Sequence, residues 1–270
     1  MEVSLADGDV RYVPAESHVR DLTSIAHEGR YYWLADNFEL KNKHVMDFGC
    51  GSGYGAAFIA DQGANCLGVD ISKTSIEYAR KTYLQAKFES HDLTNENLQD
   101  IINQRFDLIV SFDVIEHVEK YWTFVSNIKK LLKPGGTAII GCPNRLATFD
   151  FNTEWNEFHC QEFTPSQLKW LLGLYFDEAK IIGQEFSSEE IRRKFEATNK
   201  SVAQHAKALL LKTEFGKALA RIKNKSFSRT MRSDHAAPKL QRDEIITFKD
   251  IDFSSDANLK RPFGLVSICS

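Results

Sequence analysis

The residues best placed to do chemistry form one glycine-rich stretch, Val45–Gly55, which begins as an apolar run and continues into a helix-like one. This order predicts a strand, a tight turn and a helix, an arrangement that brings backbone N–H groups against a bound ligand. Glycine suits the turn because a side chain would block that approach and because many turns need positive φ. Gly51, Gly53 and Ala56 also match the Gly-x-Gly-x-x-Ala turn of nicotinamide-binding domains. The stretch therefore predicts a nucleotide-like cofactor and leaves its identity open.

An acidic residue supports the same conclusion. Asp70 ends the next strand-like run, about 20 residues after the glycine turn. A carboxylate at that point can accept hydrogen bonds from both hydroxyls of a ribose. Nicotinamide enzymes place an acid similarly, so Asp70 indicates an adenosine cofactor without choosing between the two kinds. The alternative role is a plain helix N-cap, which Ser72 could also provide.

Two histidines are candidates for proton transfer. His117 closely follows the apolar run Phe106–Phe112, and His159 lies in an aromatic and polar segment further along the chain. Imidazole titrates near neutral pH and can act as a general base. The alternative for each is an ordinary core or surface histidine. Glu116 and Glu162 are weaker candidates for the same role.

The elements that must position these residues alternate between strand and helix. Such alternation predicts a mostly parallel sheet with helices on both faces, whose ligands bind beyond the carboxyl ends of the strands. Helices are predicted over residues 15–38, 74–85, 121–132 and 166–175. After the strand that starts at Val45, the predicted strands are Cys66–Asp70, Phe88–Leu93, Phe106–Phe112, Thr137–Cys142, Phe176–Gly183 and Leu265–Cys269.

Three segments together resemble the class I S-adenosylmethionine-dependent methyltransferases of the small-molecule type. They are the Asp-x-Gly-x-Gly-x-Gly order from Asp47, the run Phe106–Val118, and Leu131–Gly136 followed by a strand. A nicotinamide domain has no reason to repeat these segments at these spacings. The resemblance covers about residues 45–145. It implies a Rossmann-like, seven-stranded, mostly parallel sheet whose last strand is antiparallel, with S-adenosylmethionine as the cofactor and S-adenosylhomocysteine as product.

The resemblance also implies a set of cofactor contacts. A helix before the first strand carries His27-x-x-Arg30-Tyr31 and would face the methionine end, unless it merely covers the sheet edge. Asp92 would meet the adenine amino group. The implied cofactor-binding residues are Arg30, Tyr31, Asp47, Gly49, Cys50, Gly51, Gly53, Asp70, Ile71, Asp92, Leu93, Ser111, Phe112 and His117.

The segment after the fifth strand is the predicted acceptor loop. Its motif Asn-x-Phe-His-x-x-Glu-Phe-Thr, which begins at Asn156, resembles a segment of methyltransferases found among polysaccharide- and sugar-modifying enzymes. That resemblance implies transfer to a sugar hydroxyl, with His159 or His117 as the catalytic base. The alternatives are N-methylation of an amino sugar or other metabolite, and a homologue that binds the cofactor without catalysis. No metal is expected, because Asp113 and Asn144 only loosely match a metal-binding carboxylate and amide cluster.

Residues 184–243 differ from the rest in being rich in Lys and Arg, with an apolar stripe at helical spacing over residues 206–222. We expect a helical insertion between strands six and seven. Residues 1–183 and 244–270 would then form the cofactor-binding domain, with 1–40 as its helical cover. The basic face of the insertion is either simply solvated or serves as a lid over a phosphate-bearing substrate, a dimer arm or a peripheral membrane contact.

Composition and charge narrow the function classes. No window approaches the roughly 20 apolar residues that cross a membrane, and the N-terminus has no signal-peptide character. The basic segment lacks the interleaved aromatics typical of single-strand nucleic-acid binding. The five cysteines form no Cys-x-x-Cys pair, and four lie in or beside apolar runs. We expect a reduced, cytoplasmic protein that acts on a small molecule, and the sequence leaves both a monomer and a homodimer open.

Overall fold

The computed structural model describes residues 2–4, 10–12, 22–150, 159–188, 246–251 and 262–270. Most of the predicted insertion and residues 151–158 of the acceptor loop lie outside this part of the chain. The strands are β1 Glu2–Ser4, β2 Val10–Tyr12, β3 His44–Phe48, β4 Asn65–Asp70, β5 Lys87–Ser90, β6 Phe106–Phe112, β7 Leu132–Pro143, β8 Ala179–Phe186, β9 Ile246–Asp250 and β10 Gly264–Cys269. The helices are α1 Leu22–Asn37, α2 Tyr54–Asp61, α3 Lys73–Thr82, α4 Leu98–Ile102, α5 Tyr121–Leu131, α6 Arg145–Asp150 and α7 Pro165–Leu172.

The main sheet has the order β5-β4-β3-β6-β7-β10-β8-β9. The first five strands in this order, β5, β4, β3, β6 and β7, pair in parallel. Strand β10 is antiparallel to both β7 and β8. The predicted Rossmann-like sheet with an antiparallel last strand is therefore confirmed. The predicted count of seven strands is wrong for the described sheet, because β9 adds an eighth by pairing antiparallel with the edge of β8.

The amino-terminal cover is helical only in part. The predicted helix over residues 15–38 is observed as α1, Leu22–Asn37. Residues 2–4 and 10–12 do not form a helix but pair with each other as a two-stranded antiparallel sheet, with Val3 opposite Arg11.

The Lys-Pro-Gly-Gly segment interrupts one ladder of the sheet. Phe106 pairs with Leu132, but the next pair of β6 and β7 joins Leu108 to Thr137. Residues 133–136 therefore bulge out between the two pairs, and Gly135 adopts a positive φ of 73°. The proline cannot donate a ladder hydrogen bond and is tolerated at such a bulge. The predicted helix stop thus leads directly into the fifth parallel strand.

Apolar side chains cover both faces of the central strands. Val45 packs with one cluster, against Leu34 of α1 and Ile59 of α2, and its neighbour Met46 packs with the other, which includes Phe124 of α5. Successive side chains of a strand point to opposite faces, so an uninterrupted apolar run suits a strand buried on both sides. This packing holds the carboxyl ends of β3, β4 and β6 in a fixed relation.

The burial of the cysteines agrees with the prediction that four of the five lie in or beside apolar runs. Cys50, Cys66, Cys142 and Cys269 are buried, whereas Cys160 is exposed, and all five are free thiols. None of the helices in the described part of the chain has the length and hydropathy needed to cross a membrane.

Candidate active site

A cleft of about 700 Å³ lies beyond the carboxyl ends of the parallel strands. This volume is in the range of small-molecule and cofactor sites. Most of the predicted cofactor-binding residues line it, namely Tyr31, Gly49, Cys50, Gly51, Asp70, Ile71, Asp92, Leu93, Phe112 and His117. His27, which the sequence placed near the methionine end, also lines the cleft. Further lining residues that sequence reasoning did not assign to the site include Ser52, Tyr54, Thr94, Asp113, Val114 and Val118–Lys120.

The glycine turn follows β3 and folds over the end of β4. The backbone N–H groups of Gly49 and Cys50 both donate to the Val69 carbonyl, at 2.7 and 3.0 Å. Gly49 has a φ of 95°, and a Cβ there would lie 2.4 Å from a methyl carbon of Val114. Both the backbone conformation and the close approach therefore require glycine. Gly53, also at positive φ, is the N-cap of α2 and does not line the cleft, so its predicted contact with the cofactor stays a prediction.

Asp70 is held in the cleft wall by backbone donors. Its Oδ2 accepts a hydrogen bond from the Gly51 N–H, and its Oδ1 accepts one from the Ser72 N–H, both at 2.9 Å. The N-cap of α3 is Ser72, whose hydroxyl accepts from the Ser75 N–H. The alternative reading of Asp70 as a helix cap is therefore wrong. An ionised carboxylate offers about four lone-pair sites, so it can accept several donors at once.

Asp47 lies beneath the glycine turn and does not line the cleft. The hydroxyl of Tyr31 donates to its carboxylate at 3.2 Å. Burial raises the pKa of Asp47 to about 7, although the Tyr31 hydrogen bond acts against this. Gly55 makes room for the tyrosine ring, since a Cβ there would lie 2.1 Å from it. Asp47 thus shapes the turn and positions Tyr31, and its predicted contact with the cofactor stays a prediction.

Arg30 and Ser111 are also behind the cleft. The buried Arg30 guanidinium hydrogen-bonds to Asp113, and its Nε donates to Gln184 Oε1 at 2.8 Å. Ser111 donates its hydroxyl to the Phe48 carbonyl at 2.6 Å, a bond between neighbouring strands. The predicted contact of these two residues with the cofactor stays a prediction. Arg30 positions another residue that does line the cleft.

That residue is Asp113, the first after β6, at a φ of 54°. Besides Arg30, His27 contacts it, with Nδ1 at 2.9 Å from Oδ2. Burial would raise the pKa of Asp113, but Arg30 and His27 outweigh it and hold that pKa well below its usual range. Asp113 Oδ1 is buried and has no hydrogen-bond partner among the described residues. Its position directly after an apolar parallel strand was the signal in the sequence that could have identified it.

Asn144 does not join Asp113 in a metal-binding cluster. It is fully buried, its side-chain N–H donates to the Pro262 carbonyl at 2.7 Å, and its oxygen accepts from the Leu146 N–H. The amide holds the end of β7 to the segment before β10. The weak match to a carboxylate and amide site is thus a structural contact.

The structure brings the two predicted bases together. His117 lines the cleft, and the His159 ring packs against it edge to face, with the centroids 4.8 Å apart. His159 Nδ1 is hydrogen-bonded to Glu162 Oε1 at 2.8 Å. The Glu116 carbonyl accepts hydrogen bonds from the N–H groups of Cys160 and residue 161, which fixes the His159 segment beside the turn of His117. We call His117 and His159 the histidine pair, and Glu116 and Glu162 its two carboxylates.

The two carboxylates of this group are buried. Glu116 is 1% exposed and Glu162 is 6% exposed. Burial, reinforced by the charge of Asp113, raises the pKa of Glu116 well above its usual range. Glu116 Oε2 has no hydrogen-bond partner in the described part of the chain. The sequence named these four residues separately but did not predict that they form one cluster.

Comparison with known proteins places this fold and cleft in a family. A family model described as a methyltransferase domain matches residues 25–205, more than half of the chain. A probable S-adenosylmethionine-dependent methyltransferase of Mycolicibacterium smegmatis is 34% identical over 148 residues, which are 54% of this chain and 55% of that protein. A ubiquinone biosynthesis O-methyltransferase of Rickettsia typhi is 36% identical over 116 residues, 40% of this chain and 44% of that protein.

A solved structure agrees with the sheet. A methyltransferase from Archaeoglobus fulgidus, described as dependent on S-adenosylmethionine, covers 92% of this chain and 94% of its own, with a TM-score of 0.55 and 16% identity. This likeness concerns the fold. The chain spans about half the length of the curated relatives it matches.

The chain belongs to the methyltransferase-domain family. The class that the glycine turn and the strand-end motifs predict, a class I S-adenosylmethionine-dependent methyltransferase, is confirmed. The cleft at the carboxyl ends of the strands is the place where this fold class holds its ligands.

Proposed function

We propose that this protein transfers the methyl group of S-adenosylmethionine to a hydroxyl group of a small polar molecule. The observation that carries the proposal is a single cleft that contains both the backbone-anchored Asp70 and the histidine pair's His117. The first suits an adenosine, and the second suits an acceptor that must lose a proton. The sulfonium methyl is already activated, so alignment of acceptor, methyl and sulfur supplies much of the catalysis, of order 7–11 kcal/mol.

The cofactor would lie along the strand ends from β5 to β6. Asp70 would accept both ribose hydroxyls, and Asp92 would accept the adenine amino group. Asp92 lines the cleft, and its Oδ1 also accepts the Thr94 N–H at 2.8 Å, which holds the side chain in place. Asp113 lines the cleft, and its carboxylate would accept a charge-assisted hydrogen bond from the ammonium of the methionine end.

Removal of the acceptor proton would be assisted at the histidine pair. A hydroxyl has a high pKa and gains from such assistance by roughly 10²–10⁴ in rate, whereas an amine needs only to arrive unprotonated. A cluster built from two imidazoles and two buried carboxylates therefore supports O-methylation over N-methylation. It also argues against a cofactor-binding protein without catalysis.

We infer that the acceptor hydroxyl belongs to a sugar. The cleft wall around His117 is polar and charged, with Asp113, Glu119 and Lys120 among its residues. Such a wall offers hydrogen bonds to a molecule with several hydroxyls. A ring hydroxyl of a quinone precursor is the second candidate, and the name of the Rickettsia typhi relative supports it.

A methyl-transfer assay with labelled S-adenosylmethionine tests the proposal. The panel contains nucleotide sugars, amino sugars, glycan fragments and hydroxylated aromatic rings, with thermal shifts by S-adenosylhomocysteine and NAD measured in parallel. Label on a sugar oxygen is expected, together with stabilisation by S-adenosylhomocysteine. Label on an aromatic ring would replace the sugar by the second candidate, and stabilisation by NAD without S-adenosylhomocysteine would overturn the methyltransferase proposal.

A further inference from the structure

The histidine pair and one of its carboxylates, Glu116, have the geometry to share one ion. The ligating atoms of Glu116, His117 and His159 all lie within 4.8 Å of one another. Two imidazoles and one carboxylate are a ligand set found at catalytic metal sites, where an open position remains for water or substrate. His117 lines the cleft, so an open position would face the space in which the acceptor is bound.

A second and independent feature points to a cation. Glu116 is almost completely buried, yet its Oε2 has no hydrogen-bond partner among the described residues. A buried carboxylate oxygen without a partner is costly unless something satisfies it. Asp113 and Glu162 are further buried or half-buried acids near Glu116. Arg30 is the cation that partly offsets them, and it is already engaged by Asp113. A divalent cation beside Glu116 would give this unpartnered oxygen a partner.

The surroundings of the cluster are built to hold its ligands in place. His159 Nδ1 is hydrogen-bonded to the buried Glu162 at 2.8 Å, so its Nε2 is the atom that a metal would use. This carboxylate–histidine arrangement is typical of metal-ligating histidines, whose orientation and basicity it sets. Two backbone N–H groups donate to the Glu116 carbonyl, and Gln161 Nε2 donates to the carbonyls of Ile115 and Val118, both at 3.0 Å. These bonds join the two ligand-bearing segments.

We propose that Glu116, His117 and His159 form a binding site for a divalent transition-metal ion of the zinc type, positioned by Glu162. Ligands around tetrahedral zinc lie about 3.3–3.5 Å apart, as follows from metal–ligand distances of 2.0–2.1 Å. Closing the cluster from 4.8 Å to that size takes a movement of about 1.3–1.5 Å between the most distant ligating atoms. Imidazole suits zinc, whereas magnesium prefers oxygen ligands. The site should therefore take Zn²⁺ and leave Mg²⁺ in solution.

The metal site would deepen the proposed function. Its role toward the acceptor rests on that function, whereas metal binding itself does not. An ion at this place would polarise an acceptor hydroxyl and lower its pKa, the usual action of catalytic zinc on bound oxygen. Metal binding itself is a property of the four side chains and can be measured without any acceptor.

The experiment titrates the full-length, chelator-treated protein with Zn²⁺, by calorimetry and by competition with a chromophoric chelator. We expect one equivalent to bind and an excess of Mg²⁺ to leave that binding unchanged. His117→Ala, His159→Ala and Glu116→Gln should each weaken zinc binding at least 10-fold, and Glu162→Gln should weaken it roughly 10- to 100-fold. His91→Ala is the matched control, because His91 also contacts a carboxylate, Glu89 at 2.9 Å, outside the cluster.

The outcomes separate this site from the proposed function. Absence of stoichiometric zinc uptake, or uptake that His117→Ala and His159→Ala leave unchanged, would overturn the metal site. His117 is exposed, so its alanine variant remains informative if the buried Glu116 variant fails to fold. Methyl transfer by stripped protein that binds no zinc would refute the metal site and leave the methyltransferase intact. Zinc bound at the cluster with no methyl transfer to any acceptor would support the metal site and refute the proposed function.

Discussion

Asp70→Asn tests the cofactor assignment most directly. In the wild type both carboxylate oxygens accept backbone N–H groups, from Gly51 and from Ser72, at 2.9 Å. Asparagine has nearly the same shape but replaces one oxygen with an NH₂ group. Whichever way the amide turns, its NH₂ faces a backbone N–H, and the other bonds lose their ionic character. The substitution therefore perturbs the anchoring of the side chain and its hydrogen bonds to a ribose together.

The expected loss follows from the number of bonds affected. Hydrogen bonds to a charged group contribute about 1.5–3 kcal/mol each. Loss of the equivalent of one such bond to the cofactor corresponds to roughly 10- to 150-fold weaker binding, since 1.4 kcal/mol is a factor of ten. We expect this change in the dissociation constant for S-adenosylhomocysteine.

The assay is calorimetric titration of folded protein with S-adenosylhomocysteine, with circular dichroism as the check on folding. Asp61→Asn is the matched control, because it makes the same charge change at an exposed residue at the end of α2. The control should bind the ligand within twofold of the wild type. An Asp70→Asn protein that is folded and binds within about threefold of the wild type would refute the placement of the ribose at Asp70.

Three further predictions concern the glycine turn, its buried acid and the histidine pair. Gly49→Ala should lower the free energy of unfolding by about 1–3 kcal/mol more than Gly135→Ala, because both have positive φ but only Gly49 crowds another side chain; equal urea midpoints for the two variants would contradict this. Asp47 has a folded-state pKa raised from 3.8 to about 7, so the folded protein binds more protons than the unfolded chain between about pH 4 and 7. Its contribution to stability therefore falls as pH rises through that window, by up to about 4 kcal/mol, and Asp47→Asn should flatten the pH dependence of unfolding; an identical slope in both proteins would remove Asp47 as the cause. His159→Ala should lower turnover at least 10²-fold and keep near-native affinity for S-adenosylhomocysteine; unchanged turnover would remove His159 from the mechanism, and lost affinity would assign it to the cofactor site.

The sequence predicted the part of the fold that is encoded locally. The apolar run at β3, the glycines after it and the acid that ends β4 each depend on residues close together in the chain. Strand period and turn chemistry operate over a few residues, so the pattern can be recognised without knowledge of packing. For the same reason Asp70 and the turn were placed correctly in the cleft wall.

Spacing along the sequence does not show which polar side chains are buried. Arg30 and Asp47 have the residue types of ligand contacts, yet both are buried behind the cleft and act through neighbours. The eighth strand was missed because Ile246–Asp250 is short and its partner, β8, precedes it by a long stretch of chain. Pairing between distant segments depends on loop closure and packing, which leave little trace in a local pattern.

The sequence by itself determined the class of fold, the glycine turn and the acids at the strand ends, because each follows from a local pattern of apolar, glycine and acidic residues. Only the tertiary structure decided that Asp113 is held by Arg30 and that His117 meets His159 beside two buried carboxylates. Those residues come from segments far apart in the chain, and it is the stacking of parallel strands, with the return of the chain after β7, that brings them together. The glycine-turn end of the cleft is thus encoded locally, whereas the end at the histidine pair is a product of long-range packing.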